Sequence, residues 1–174
     1  MPAVQSPLIF TSTNHNYVHN FKQAGAGRGT YVGMCGGLST LWLNNMLGGV
    51  RDINSKPDEG RAQLLQVKYR WDKSLGGQDA INLLASAGLI GTTFLTRAGI
   101  SMAGEEMASK GGGFLIWNGP HFVAAFIRPG QFYFYDCETG LYLYETKSDW
   151  KAQIGSLGYG SRFLEPWTVW SVTK

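Results

Sequence analysis

The chain has little cysteine, little histidine and little charge. Its 174 residues hold two cysteines and three histidines. Two thiols make at most one disulfide, so a small disulfide-stapled scaffold is excluded. Charged residues make up 16% of the chain, and a net charge of +3 is spread without a block of one sign. Nucleic-acid binders normally carry a basic stripe, so no nucleic-acid partner is expected. No apolar run approaches the roughly 20 residues that span a bilayer, so no stable membrane insertion is expected. The opening Met1-Pro2-Ala3-Val4-Gln5-Ser6-Pro7 lacks the basic and apolar blocks of a secretory signal peptide. The expectation is a protein that stays in the cytosol or leaves by a route needing no such signal.

Other chemistries lack their minimal residue sets. His15 and His19 have the i,i+4 spacing of a helical metal pair, but no third ligand stands near them. Cys35 and Cys137 lie too far apart in sequence for a zinc pattern, so no metal site and no cofactor are expected. Gly25-Ala26-Gly27-Arg28-Gly29 follows no strand, which leaves a phosphate cradle unsupported. Ser39 and Ser101 lie outside any G-x-S-x-G elbow, which argues against a serine hydrolase.

What is abundant points to a packed domain. Hydrophobic residues reach 44%, with six Trp, eight Tyr and nine Phe. This length suits one domain with a substantial core. Residues 1–30 are polar and weakly periodic and read as a flexible N-terminal arm; residues 31–174 read as a single domain. Apolar spacing predicts helices over about 34–46, 61–71, 78–87, 100–110 and 148–157. Gly48-Gly49, Gly88 and Gly111-Gly112-Gly113 serve as stops. Strands are expected at 114–117, 122–127, 131–137, 141–144 and, interrupted by Pro166, 163–172. Helices ahead of an antiparallel sheet make an α+β fold. The aromatics of Phe132-Tyr133-Phe134-Tyr135, Tyr142 and Tyr144 read as core on one face and cross-strand packing on the other.

Three residues stand out against this background. Cys35 sits in Gly33-Met34-Cys35-Gly36-Gly37-Leu38, at the start of a predicted helix. The thiolate is the reactive form of cysteine, and unpaired N–H groups at a helix start favour an anion. Nearby glycines let a substrate backbone approach. Downstream lie His121, after Gly119-Pro120, and Asp136, before Cys137. With Pro129-Gly130 as a two-residue turn, Val123 faces Asp136, Ala125 faces Phe134 and Ile127 faces Phe132. His121 then shares a face with Asp136, diagonally displaced, within reach across the pair. The same parity sends Cys137 to the opposite face beside Phe122, which makes it the poorer nucleophile. A thiol, an imidazole and a carboxylate in this order supply a nucleophile, its base and the group that orients the base.

The blocks Gly33-x-Cys35-x-x-Leu38-Ser39-x-x-Trp42-Leu43, His121-Phe122-x-Ala124 and Phe134-x-Asp136-x-x-x-Gly140 resemble those of the YopT/AvrPphB-type cysteine peptidases, papain-like effectors that bacteria deliver into host cells. The resemblance implies a papain-like catalytic domain over 31–174, with Cys35 as nucleophile, His121 as base and Asp136 as orienter. That family places a polar side chain ahead of the cysteine to help form the oxyanion hole. Thr30 stands at a matching offset, Gln23 is a second candidate, and the Cys35 backbone N–H contributes in either case. The resemblance also implies a protein or peptide substrate in a host or target cell, a cognate inhibitor protein among the partners, and residence in the bacterial cytoplasm before secretion. The leading expectation is a cysteine peptidase. The same site also suits a deamidase, transglutaminase, acyltransferase or peptidoglycan amidase, and a noncatalytic module with a buried Cys35 is the third reading.

Overall fold

The computed structural model describes residues 8–10, 35–48, 57–68, 76–117, 121–137, 140–156 and 167–174. Gln23, Thr30, His15, His19, the glycine run at 25–29 and the segments 118–120 and 163–166 lie outside them. Chain order is β1 (Leu8–Phe10), α1 (Cys35–Leu47), α2 (Glu59–Lys68), α3 (Gly76–Ser86) and β2 (Ile90–Ala98). It continues with α4 (Ile100–Lys110), β3 (Gly112–Trp117), β4 (Phe122–Arg128), β5 (Gln131–Asp136), β6 (Gly140–Tyr144), α5 (Lys147–Ser156) and β7 (Trp167–Thr173). The fold class is α+β.

Local chemistry sets the helix ends. Asp58 caps α2: its Oδ1 accepts from the Arg61 N–H at 2.8 Å, so this helix begins two residues before the expected Arg61. Thr146 caps α5, its Oγ1 accepting from the Asp149 N–H at 3.1 Å. Past α3, Gly88 takes φ +77. The Leu89 N–H returns to the Leu84 carbonyl and the Gly88 N–H to that of Ala85. This pair of bonds is a Schellman stop, which a residue without a Cβ enters most readily.

The strands form one seven-stranded sheet in the order β1-β6-β5-β4-β3-β7-β2, every neighbouring pair antiparallel. Strands β3 to β6 form a meander. β7 returns from the chain's end to pair with β3 on one side and β2 on the other. It runs over Trp167–Thr173.

Period-two alternation divides the sheet's side chains between two cores. Leu115, Phe122, Ala124, Tyr133, Tyr135 and Trp170 pack under α1, α2 and α3, with Leu38, Leu41, Trp42, Ala62 and Leu84. Phe114, Ile116, Val123, Ala125, Phe134 and Val169 face the other way, against Ala103 and Met107 of α4 and Trp150 and Ile154 of α5. The sheet is thus buried on both faces. Its aromatics are core residues on each side, which corrects the expectation of one apolar face. Across α4 and α5, Glu105 holds Lys147 at 2.7 Å and Lys151 at 2.6 Å.

Strand β2 is the element that periodicity did not announce. Its burial alternates poorly along Ile90–Ala98, its pairing with β7 shifts register twice, and Arg97 takes φ +55. An edge strand with bulges has no clean two-residue period to detect.

Helix α1 reaches the sheet through close contacts. Trp42 stacks on Tyr135 with ring centroids 5.4 Å apart and planes 17° off parallel. Behind it, Gly37 faces α2 so tightly that an added Cβ would lie 2.2 Å from the Ala62 carbonyl oxygen. That neighbour is backbone and has no rotamer to yield. Gly37→Ala is therefore expected to destabilise the fold by about 1–3 kcal/mol. Gly60→Ala, where an added Cβ meets only Asp58 Oδ1 at 3.4 Å, is expected to be neutral or to stabilise by up to about 1 kcal/mol. Urea unfolding midpoints of the two variants check the contrast.

Candidate active site

Three elements converge where β4 begins and β5 ends. Cys35 is the first residue of α1 and is 6% exposed. Its sulfur accepts from the Phe122 N–H, with nitrogen and sulfur 3.5 Å apart. The Ser39 hydroxyl, one helical turn on, donates to the Phe122 carbonyl at 3.5 Å. Both groups of one peptide unit's residue are thereby tied to α1, which registers the helix start against the residue after His121.

His121 immediately precedes β4, and Asp136 is the last residue of β5. The hairpin between them pairs as the sequence predicts: Arg128 with Gln131, Ile127 with Phe132, Ala125 with Phe134 and Ala124 with Tyr135. That register carries His121 Nε2 to 2.9 Å from Asp136 Oδ1. An ionised carboxylate only accepts, so Nε2 carries the hydrogen. Nδ1 is left as the ring nitrogen for the Cys35 sulfur, which hydrogen-bonds the imidazole. Asp136 is 1% exposed.

The sheet faces need a correction here. By alternation His121 and Asp136 belong with Val123 and Ala125, on the side away from α1, whereas Cys35 packs with Phe122 and Ala124. The groups meet because His121 lies before its strand and Asp136 at the end of its own, at the rim where the sheet no longer separates two sides. Cys137 follows the expected parity. It packs beside Phe122 in the α1-side core, yet its sulfur, one His121 ring nitrogen and an Asp136 oxygen all lie within 4.8 Å of one another. The strand ends at Asp136 and the chain turns at Cys137.

The electrostatics follow from burial and partners. Burial works against a charged ring at His121 and is the largest single influence. The charge of a Cys35 thiolate and the bonds to Asp136 and Cys35 act the other way and together prevail, raising the imidazole from 6.5 to about 10. Tyr135, beneath Trp42, is pushed above its ordinary phenol value by burial and then by Cys137 and Asp136.

Sequence reasoning missed two groups at the site: the Phe122 N–H and the Ser39 hydroxyl. The first is a backbone group that any residue supplies, so no residue type signals it. Ser39 was visible four residues after Cys35 but was weighed only as a nucleophile. Cys137 lies in the core with Phe122, as its parity predicts.

No family model and no curated protein matches the chain. Solved structures do match. The Pseudomonas avirulence protein AvrPphB superposes with a TM-score of 0.60 at 19% identity, covering 98% of this chain and 96% of that one. PatoxP, a cysteine protease-like domain of the Photorhabdus asymbiotica toxin PaTox, gives 0.52 at 14% identity over 97% of this chain and 54% of that one. The YopT domain of the Pasteurella multocida PfhB2 toxin is also found, at a TM-score of 0.33 and 12% identity, covering 88% and 85%. The fold is thus that of AvrPphB and PatoxP over nearly the whole chain. The resemblance read from three short motifs extends to the arrangement of helices and sheet.

The His121 shift has a definite sign. The folded ring holds its proton more tightly than the unfolded one, so its contribution to stability is complete below about 6.5 and is lost as pH rises through about 10. In metal-free buffer, the His121 ring resonance is expected to titrate above pH 9. In a Cys35→Ala, Asp136→Asn double variant it is expected to fall to 6.5 or below, because burial then acts unopposed. An NMR titration of the ring protons measures both.

Proposed function

We propose that the chain is a papain-like cysteine peptidase. The observation that carries this reading is the continuous contact from Cys35 through His121 to Asp136, with the imidazole–carboxylate bond at 2.9 Å. The fold shared with a cysteine protease-like domain supports it. In this reading the Cys35 thiol proton passes to His121 Nδ1 and the sulfur attacks a substrate amide carbonyl. His121 then protonates the leaving amine, and an acyl-enzyme remains on Cys35. Water, giving a proton to His121, releases the acid and restores the thiol. Asp136 holds Nε2–H and so fixes the tautomer and orientation of the ring, and it steadies the imidazolium while it lasts.

The oxyanion that forms at the carbonyl needs donors. The Cys35 backbone N–H at the head of α1 is one, and Thr30 is the first choice of side chain, with Gln23 second. Residues 31–174 act as one catalytic domain, and residues 1–30 as an arm whose Leu8–Phe10 stretch adds to that domain's sheet beside β6. The substrate is a protein or peptide, and a cognate inhibitor protein is a suitable partner. Likeness to an avirulence protein and a toxin domain supports delivery as an effector, made in a bacterial cytoplasm and acting in a target cell's cytosol. Among the described residues no helix is long and apolar enough to cross a membrane.

The test is a proteome-derived peptide library read by mass spectrometry for new termini. The wild-type chain is expected to create them and Cys35→Ala to create none while keeping its fold by circular dichroism. Asp136→Asn is expected to lower kcat/KM by roughly 100-fold or more. A Cys35→Ala protein that still cuts the same bonds overturns the reading.

A further inference from the structure

The peptidase reading uses His121 and Asp136 but leaves Cys137 without a task. This is the third group of a cluster in which one atom each from His121, Asp136 and Cys137 lies within 4.8 Å of the other two. All three residues are buried, at 9%, 1% and 0% exposure. An imidazole nitrogen, a carboxylate oxygen and a sulfur are the donor types that a borderline divalent metal takes. A tetrahedral Zn²⁺ holds N and O ligands at about 2.0 Å and S at about 2.3 Å, so its N, O and S ligand atoms sit roughly 3.3–3.5 Å apart. A cluster no wider than 4.8 Å reaches those separations by closing about 1.5 Å or less. The 2.9 Å His121–Asp136 contact opens slightly.

We propose that His121, Asp136 and Cys137 form an inhibitory binding site for a divalent metal of the Zn²⁺ class. The carboxylate and the Cys137 thiolate together neutralise the ion, which suits a buried position. Binding displaces the thiol proton of Cys137 and any proton on the coordinating ring nitrogen into solvent, and a water or other small ligand fills the fourth position. The consequence for turnover rests on the peptidase reading. Once the ring nitrogen and the carboxylate serve the metal, His121 no longer carries a proton between Cys35 and the substrate, and the enzyme is off until the ion leaves. Cys137 is what separates this from a general affinity of thiols for zinc: the group of ligand atoms includes it and not Cys35.

The site is tested apart from activity. In Cys35→Ala, Cys137 is the only cysteine left. One equivalent of Co²⁺ added to that protein is expected to give the d–d absorption of a tetrahedral centre with a thiolate-to-cobalt charge-transfer band. Further removal of Cys137, as Ala or as the size-matched Ser should the Ala variant fail to fold, abolishes the band, and removal of His121 weakens binding about tenfold or more. Absence of Co²⁺ binding, or binding that survives both Cys137 substitutions, overturns the site. In the second arm, Zn²⁺ inhibits peptide cleavage by the wild-type chain. Cys137→Ser, measured against its own zinc-free rate, needs about tenfold more of the ion or beyond. Equal inhibition of the two proteins overturns the regulatory role. A cobalt centre in a chain whose wild type cuts nothing would sink the peptidase reading and leave the metal site standing.

Discussion

The pairing of β4 with β5 is the constraint on which the site depends. Their turn at Pro129–Gly130, with Gly130 at φ +71, sets a register that runs unbroken to Ala124 and Tyr135. That register brings the residue before one strand to the last residue of the other. A slip of one position would move every side chain of β5 to the other core and take Asp136 away from His121. The burial of both sheet faces makes such a slip costly, because Phe134 and Tyr135 would exchange two dissimilar environments. The packing of the whole domain thus enforces a contact at its edge.

Helix α1 supplies the second half of the arrangement. It is held from three sides: stacking of Trp42 on Tyr135, the close backbone approach of Gly37 to Ala62, and the bonds of Cys35 and Ser39 to Phe122. A thiol on a rigid helix start, facing an imidazole on a rigid hairpin, needs no rearrangement to form its hydrogen bond.

Much of this was legible in the residues, for identifiable reasons. The hairpin could be numbered because a Pro-Gly turn lies between two apolar-aromatic runs, and parity then does the rest. The helix stops could be placed because Gly88 and Gly111 are residues that tolerate positive φ. The partition of the sheet into two cores could not be read, since alternation marks two faces without saying which helices cover them. Strand β2 escaped because Phe94 and Leu95 stand side by side where bulges interrupt the pleat. Cys137 could be assigned to the core of Phe122 because the period-two rule still holds one residue past the strand. Side-chain identity can announce a thiol, an imidazole and a carboxylate, but a backbone donor such as the Phe122 N–H emerges only from coordinates.

The irregular β2 has a bearing on how copies of this chain behave toward one another. It stands last in the strand order, where one side of its backbone has no neighbouring strand among the described residues. A long, straight margin of that kind is a template for indefinite stacking of molecules. The twin register shifts and the left-handed turn of the backbone at Arg97 twist the margin and set a cationic residue on it, so that a second copy meets no regular ladder of donors and acceptors to extend. The feature that hid this strand from periodicity also guards the molecule against fibre growth.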